Sequence, residues 1–113
     1  MGTILIKLFP NKLNNPDLDL RYIIPDRIAE ITNGNVKDDG YDYLDEHSLG
    51  IFLKSDNPKE DVKNVLEILK TEMFLENDIY ETGIVAICDH DDSNLDEYTV
   101  VHPQKTNGDS KDE

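Results

Sequence analysis

The sequence predicts an α+β domain, with a mainly antiparallel sheet and two helices packed on one face. Three observations carry this expectation. Ile4, Ile6 and Leu8 alternate with their neighbours at the period of a strand. A stretch opening at Asn57 spaces its apolar residues by three and four, as an amphipathic helix does. The run Ile84-Val85-Ala86-Ile87 is continuously apolar and fits a central strand buried on both faces. Strand, helix, strand, strand, helix, strand, strand is the resulting order. A ferredoxin-like split βαβ unit with one extra strand fits it best.

The first strand alternates Ile4, Ile6 and Leu8 with Leu5, Lys7 and Phe9, so both faces are largely apolar, and Pro10 ends it. Asn15-Pro16 reads as a helix cap followed by a proline at the first helical position. Leu20, Ile23, Ile24, Ile28 and Ile31 then recur at helical spacing around Pro25. Proline removes a backbone donor and crowds the preceding turn, so a kinked helix or two short ones are expected, ending at Asn33-Gly34. Arg21 and Arg27, the only arginines, are expected to pair with neighbouring acids on the solvent side.

Residues 36–44 form a strand or a long acidic loop, with Gly40 marking a bulge or turn. His47-Ser48 turns the chain into a core strand from Leu49 to Lys54. The second helix begins with Asn57 as cap, Pro58 at the first position and Glu60 completing a capping box. Its buried stripe is read as Val62, Val65, Leu66, Leu69 and Met73, and Asn77-Asp78 closes it. Tyr98 to His102 makes the last strand, stopped by Pro103. Residues 1–103 thus form one domain, and 104–113 a disordered polar tail without an apolar anchor.

Twenty-five acids against eleven bases leave a formal charge of −14 on 113 residues. Such a surface repels nucleic acid and anionic lipid and attracts basic proteins or cations. Direct nucleic-acid binding and membrane association are therefore not expected. The start, MGTILIKLF, lacks the basic region of a signal peptide, and Ile6 stands where a myristoylation site needs serine or threonine. A cytoplasmic location follows as the expectation.

No catalytic constellation emerges. The single cysteine, Cys88, ends an apolar run, and the nearby His90 is flanked by acids. His47, His90 and His102 lie in three separate stretches without zinc-ligand spacing, and the loop opening at Asp89 lacks the glycine and the twelfth-position glutamate of a calcium loop. There is no glycine-rich phosphate loop and no nucleophile elbow. No catalytic residue, metal ligand or cofactor is assigned.

One stretch combines charge with contact chemistry. Asp38 to Glu46 holds five carboxylates, Asp38, Asp39, Asp42, Asp45 and Glu46, with Tyr41 and Tyr43 interleaved and no cation. Tyrosine offers a large contact area at low entropic cost, and surrounding carboxylates speed the arrival of a basic partner by roughly 10–1,000-fold. The bland alternative is that the tyrosines cover the sheet while the acids are merely solvated. With Tyr41, Tyr43 and Leu44 straddling the sheet, at least one tyrosine is expected to serve the core. A second acidic segment, with Asp89, Asp91, Asp92, Asp96 and Glu97, is a candidate for the other arm of the same surface.

The stretches NGNVKDDGYDYLDE and NDIYETGIVAI, on a small acidic chain without a catalytic signature, resemble the immunity proteins that bacteria make against their own secreted toxins, contact-dependent inhibition systems included. The resemblance implies a cytoplasmic, non-enzymatic protein. Its partner would be a cognate basic toxin domain, often a nuclease, whose active site or substrate cleft it blocks. The carboxylates of 38–46 would then stand where nucleic-acid phosphates lie on the toxin. Two rivals are an acidic nucleic-acid mimic that regulates a basic DNA- or RNA-binding protein, and a metal-dependent enzyme built on the 89–97 loop.

Overall fold

The computed structural model describes residues 2–89 and 97–103. The expected tail, 104–113, lies outside them. Five strands are β1 (Gly2–Leu8), β2 (Val36–Asp45), β3 (Ser48–Ser55), β4 (Ile84–Cys88) and β5 (Thr99–His102). Helices are α1 (Leu20–Ile31), α2 (Pro58–Thr71) and the short α3 (Ile79–Thr82), with a 3₁₀ turn over Pro10–Lys12. The strands form one antiparallel sheet in the order β2-β3-β1-β4-β5. β1 and β2 therefore run the same way with β3 between them, and β5 is added at the far edge.

Cross-strand register builds the core in rows. Ile4 lies opposite Leu53 and Ile87, Ile6 opposite Ile51 and Val85, and Leu8 opposite Leu49. These side chains meet Leu20, Ile24 and Ile28 of α1 and Val62, Val65, Ile68 and Leu69 of α2 in one buried cluster. Both long helices thus cover the same face. Full burial of each such aliphatic side chain contributes about 1.5–3 kcal/mol.

The opposite face carries Leu5, which sits across from Phe52 and Ala86. Gly50 makes room there. A Cβ on it would stand 3.0 Å from Leu5 Cδ1 and 3.1 Å from both methyls of Leu44. Leucines from β1 and β2 thus close over a bare backbone, which seats the edge strand on this side.

Several local expectations are corrected by longer-range contacts. α1 is a single helix that starts at Leu20, and Asn15-Pro16 does not cap it. Asn15 is tied instead to the buried Asn77: its N–H donates to Asn77 Oδ1 at 2.8 Å, and Asn77 Nδ2 donates to its carbonyl at 2.7 Å. Pro25 lies within α1 without dividing it, and its ring is buried beside Ile24 and Ile28. The helix does end at Asn33-Gly34. Gly34, at φ 81°, donates to Ala29 O at 2.8 Å, and Thr32 Oγ1 accepts from Val36 N at 3.2 Å at the start of β2.

α2 begins at Pro58 as expected, but the Asn57 side chain makes no capping bond. Ser55 replaces it: its hydroxyl bonds Asp61 Oδ2 at 2.5 Å and accepts the Asn57 N–H at 3.0 Å. Glu60 turns to Lys63 at 2.9 Å. The buried stripe includes Ile68, while Met73 is exposed because the helix has already stopped at Thr71. Asn77 and Asp78 do not close α2. Phe74 and Asn77 pair in a tight turn through Leu75 and Glu76, and Asp78 caps α3 by accepting from Glu81 N at 3.1 Å.

Candidate functional site

β2 reads VKDDGYDYLD, and only Val36 of its ten residues is buried. It is a full strand rather than a loop, placed at one end of the sheet with β3 as its only strand neighbour among the described residues and α1 packed beneath. The acidic stretch is consequently held in a defined register, with its last pair at Asp45 and Ser48 before the Glu46-His47 turn.

Register decides which face each residue shows. Val36 lies opposite Ser55 and Asp38 opposite Leu53, but pairing then slips and resumes with Tyr41 opposite Ile51. Asp39 and Gly40 form a bulge, with Gly40 at φ 97° and its N–H held by Asp38 Oδ1 at 2.8 Å. Because side chains alternate along a strand, the slip brings Tyr41 and Tyr43 to the helix-covered face. Asp42 and Leu44 go to the other face, where Asp39 approaches Lys54 at 3.7 Å. The tyrosines and the central acids, interleaved in sequence, are therefore separated across the two faces of one edge.

Neither tyrosine serves the core, contrary to expectation: Tyr41 is 39% exposed and Tyr43 59%. Tyr41 meets Tyr22 of α1 edge-on, with ring centroids 6.2 Å apart. Arg21 lies over both rings, its guanidinium carbon 4.7 Å from the Tyr22 centroid and 4.8 Å from that of Tyr41. The two arginines thus part ways. Arg27 pairs with Glu30 at 2.7 Å and Glu72 at 2.9 Å, as expected. Arg21 takes aromatic partners instead, and interaction with the Tyr22 hydroxyl leads the influences raising its pKa.

Tyr22 was not picked out from sequence, and Arg21 only as an expected partner of acids. A signal was present: Ile24 and Pro25 stand three and four residues after Arg21, whereas Glu30 follows Arg27 by three. An arginine without a helical acid partner downstream was free to find another.

At the strand's end, Asp45 Oδ1 accepts the His47 N–H at 2.7 Å, and this bond chiefly lowers the Asp45 carboxyl below the usual range. Asp45 and Glu46 are both exposed at this tip. The second acidic segment is placed elsewhere. Asp89 follows β4 and Glu97 precedes β5, both lining a cavity of about 360 Å³ with Lys59, Ile87, Cys88 and Thr99. Asp91, Asp92 and Asp96 lie outside the described residues. β4 is three strand steps from β2, about 14 Å at ordinary strand spacing. The described parts of the two segments, Asp89 and Glu97 on one side and β2 on the other, therefore lie toward different edges of the sheet.

Among the described residues no three His, Cys, Asp or Glu side chains are grouped to hold a metal ion. Cys88 is a buried free thiol. His102 bonds the Tyr80 carbonyl through Nε2 and stacks on the Tyr80 ring. No described helix is long and apolar enough to cross a membrane. No protein-family model, curated protein or solved structure matches this chain.

Proposed function

We propose that this chain is an immunity-type binding protein that neutralises a basic toxin domain, engaging it along β2. One observation carries the reading: a strand paired with β3 at both ends and through Tyr41–Tyr43 keeps nearly every residue exposed, and six of its ten residues are acids or tyrosines. Solvated acids alone would account for charge, but not for two exposed tyrosines on the same strand. Asp38, Asp39, Asp42, Asp45 and Glu46 supply the field that steers a basic domain inward. Tyr41 and Tyr43, with Tyr22 and Arg21 beside them, supply contact area on the helix-covered face. A partner seated here straddles the edge and meets both faces.

The test is affinity capture from native lysate at low salt, with proteins identified as they elute in rising salt. A single basic, nuclease-like polypeptide in near-stoichiometric amount is the expected result, lost when Tyr41 and Asp42 are both changed to alanine. Retention of that polypeptide by the double variant would remove β2 from the interface. Several weakly held basic proteins would instead indicate a general nucleic-acid mimic.

A further inference from the structure

We infer that the outer edge of β2 between Tyr41 and Asp45 receives an extended, basic strand of the partner, which joins the sheet through backbone hydrogen bonds. The inference rests on the proposed binding role of β2 and adds a mode of recognition to it. β2 ends the sheet, so β3 pairs with one of its edges and, among the described residues, no strand pairs with the other. Such an edge presents a row of N–H and C=O groups to which another chain can add.

Edges are commonly protected by shortness, bulges or charge. The bulge at Asp39-Gly40, where the Gly40 N–H is already taken by Asp38, and a second register shift between Tyr43 and Asp45 protect one point each. Between the two, pairing with β3 runs through Tyr41, Asp42 and Tyr43, which holds this segment extended. Edge protection explains the aspartates but not the exposed tyrosines, which favour strand pairing and cross-strand contact.

Charge selects the occupant. A second copy of this chain would bring another formal charge of −14 and set one acidic edge against another. A strand with lysine or arginine opposite Asp42 meets a carboxylate on the open face. Its alternate, apolar residues then lie against Tyr41 and Tyr43 on the helix-covered face.

The probe is a capped peptide of alternating lysine and valine, about eight residues long, added at low salt while amide hydrogen exchange is read residue by residue. Alternate amides within 41–45 are expected to slow by about tenfold, with those of Thr99–His102 unchanged. Asp42→Lys abolishes the effect, and the charge-matched Glu67→Lys on α2 retains it. If the peptide shifts the Tyr41 and Tyr43 ring signals but slows no β2 amide, strand addition is overturned and the acidic-surface reading stands. If it leaves β2 untouched, both fall. Slowing that needs no peptide and grows with protein concentration would make a second copy the occupant and overturn the basic strand.

Discussion

The two edges of the sheet are managed in opposite ways. β5 is four residues long and runs into Pro103, and its last residue is pinned to Tyr80 by a hydrogen bond and a ring contact. β2 is ten residues long, bulged, and exposed along nearly its whole length. Shortness and anchoring suffice to make an edge unattractive to other chains. β2 relies on acids and two register shifts while keeping two aromatic side chains in solvent. An edge that needed only protection would not carry them, and the proposed binding role of β2 rests on that difference.

The largest expected effect removes the support that both edges share. Ile6 is fully buried in the central strand, between Ile51 and Val85. Ile6→Ala should cost about 2–5 kcal/mol in chemical denaturation and loosen both edges together. A selective perturbation comes next. Gly50→Val forces branched atoms against Leu5 and Leu44, and should cost about 1–3 kcal/mol. Hydrogen exchange should then quicken in β2 and stay unchanged in β5; equal loss at both edges would mean that the Leu5-Gly50-Leu44 contact is not what seats β2.

A smaller effect separates stacking from charge. Arg21→Lys keeps the positive charge but loses the planar group over Tyr22 and Tyr41, and should lower stability slightly in chemical denaturation. The same change at Arg27 exchanges one ion-pairing cation for another on the surface and should cost less. If Arg27→Lys proves the more costly, the aromatic cluster contributes little to holding β2 on α1.

The smallest effect is a pH dependence at the tip of β2. Asp45 is lowered from its ordinary pKa by the His47 N–H, so its contribution is present above the unfolded value, near pH 4, and is lost as pH falls through the lowered folded value. Asp45→Asn should therefore reduce the loss of stability between neutral and acidic pH, measured by urea denaturation. An identical acid limb in the variant would show that the turn does not hold the charged form.

Local chemistry was enough to place most elements. The apolar β1 strand buried on both faces, the α2 stripe through Val62, Val65 and Leu69, the Asn33-Gly34 stop and the Gly40 bulge each follow from residues close in sequence. Helical and extended backbones expose such patterns directly, since their periods of 3.6 and 2 set which residues share a face. The acidic, tyrosine-bearing stretch was equally plain, and so was its attachment to a core strand.

Contacts between distant segments settled the rest. Asn15 had the makings of a helix cap until Asn77, 62 residues away, claimed its backbone groups. Arg21 had a surface position on a helix, and only the docking of β2 against α1 brought Tyr41 to it. The bulge could be read at Gly40, but its consequence could not. One added residue reverses the face of every side chain that follows, and pairing with β3 decides where the slip occurs. Which face of the edge carries the tyrosines is therefore a property of the assembled sheet, because alternation along a strand has no direction until a neighbouring strand supplies one.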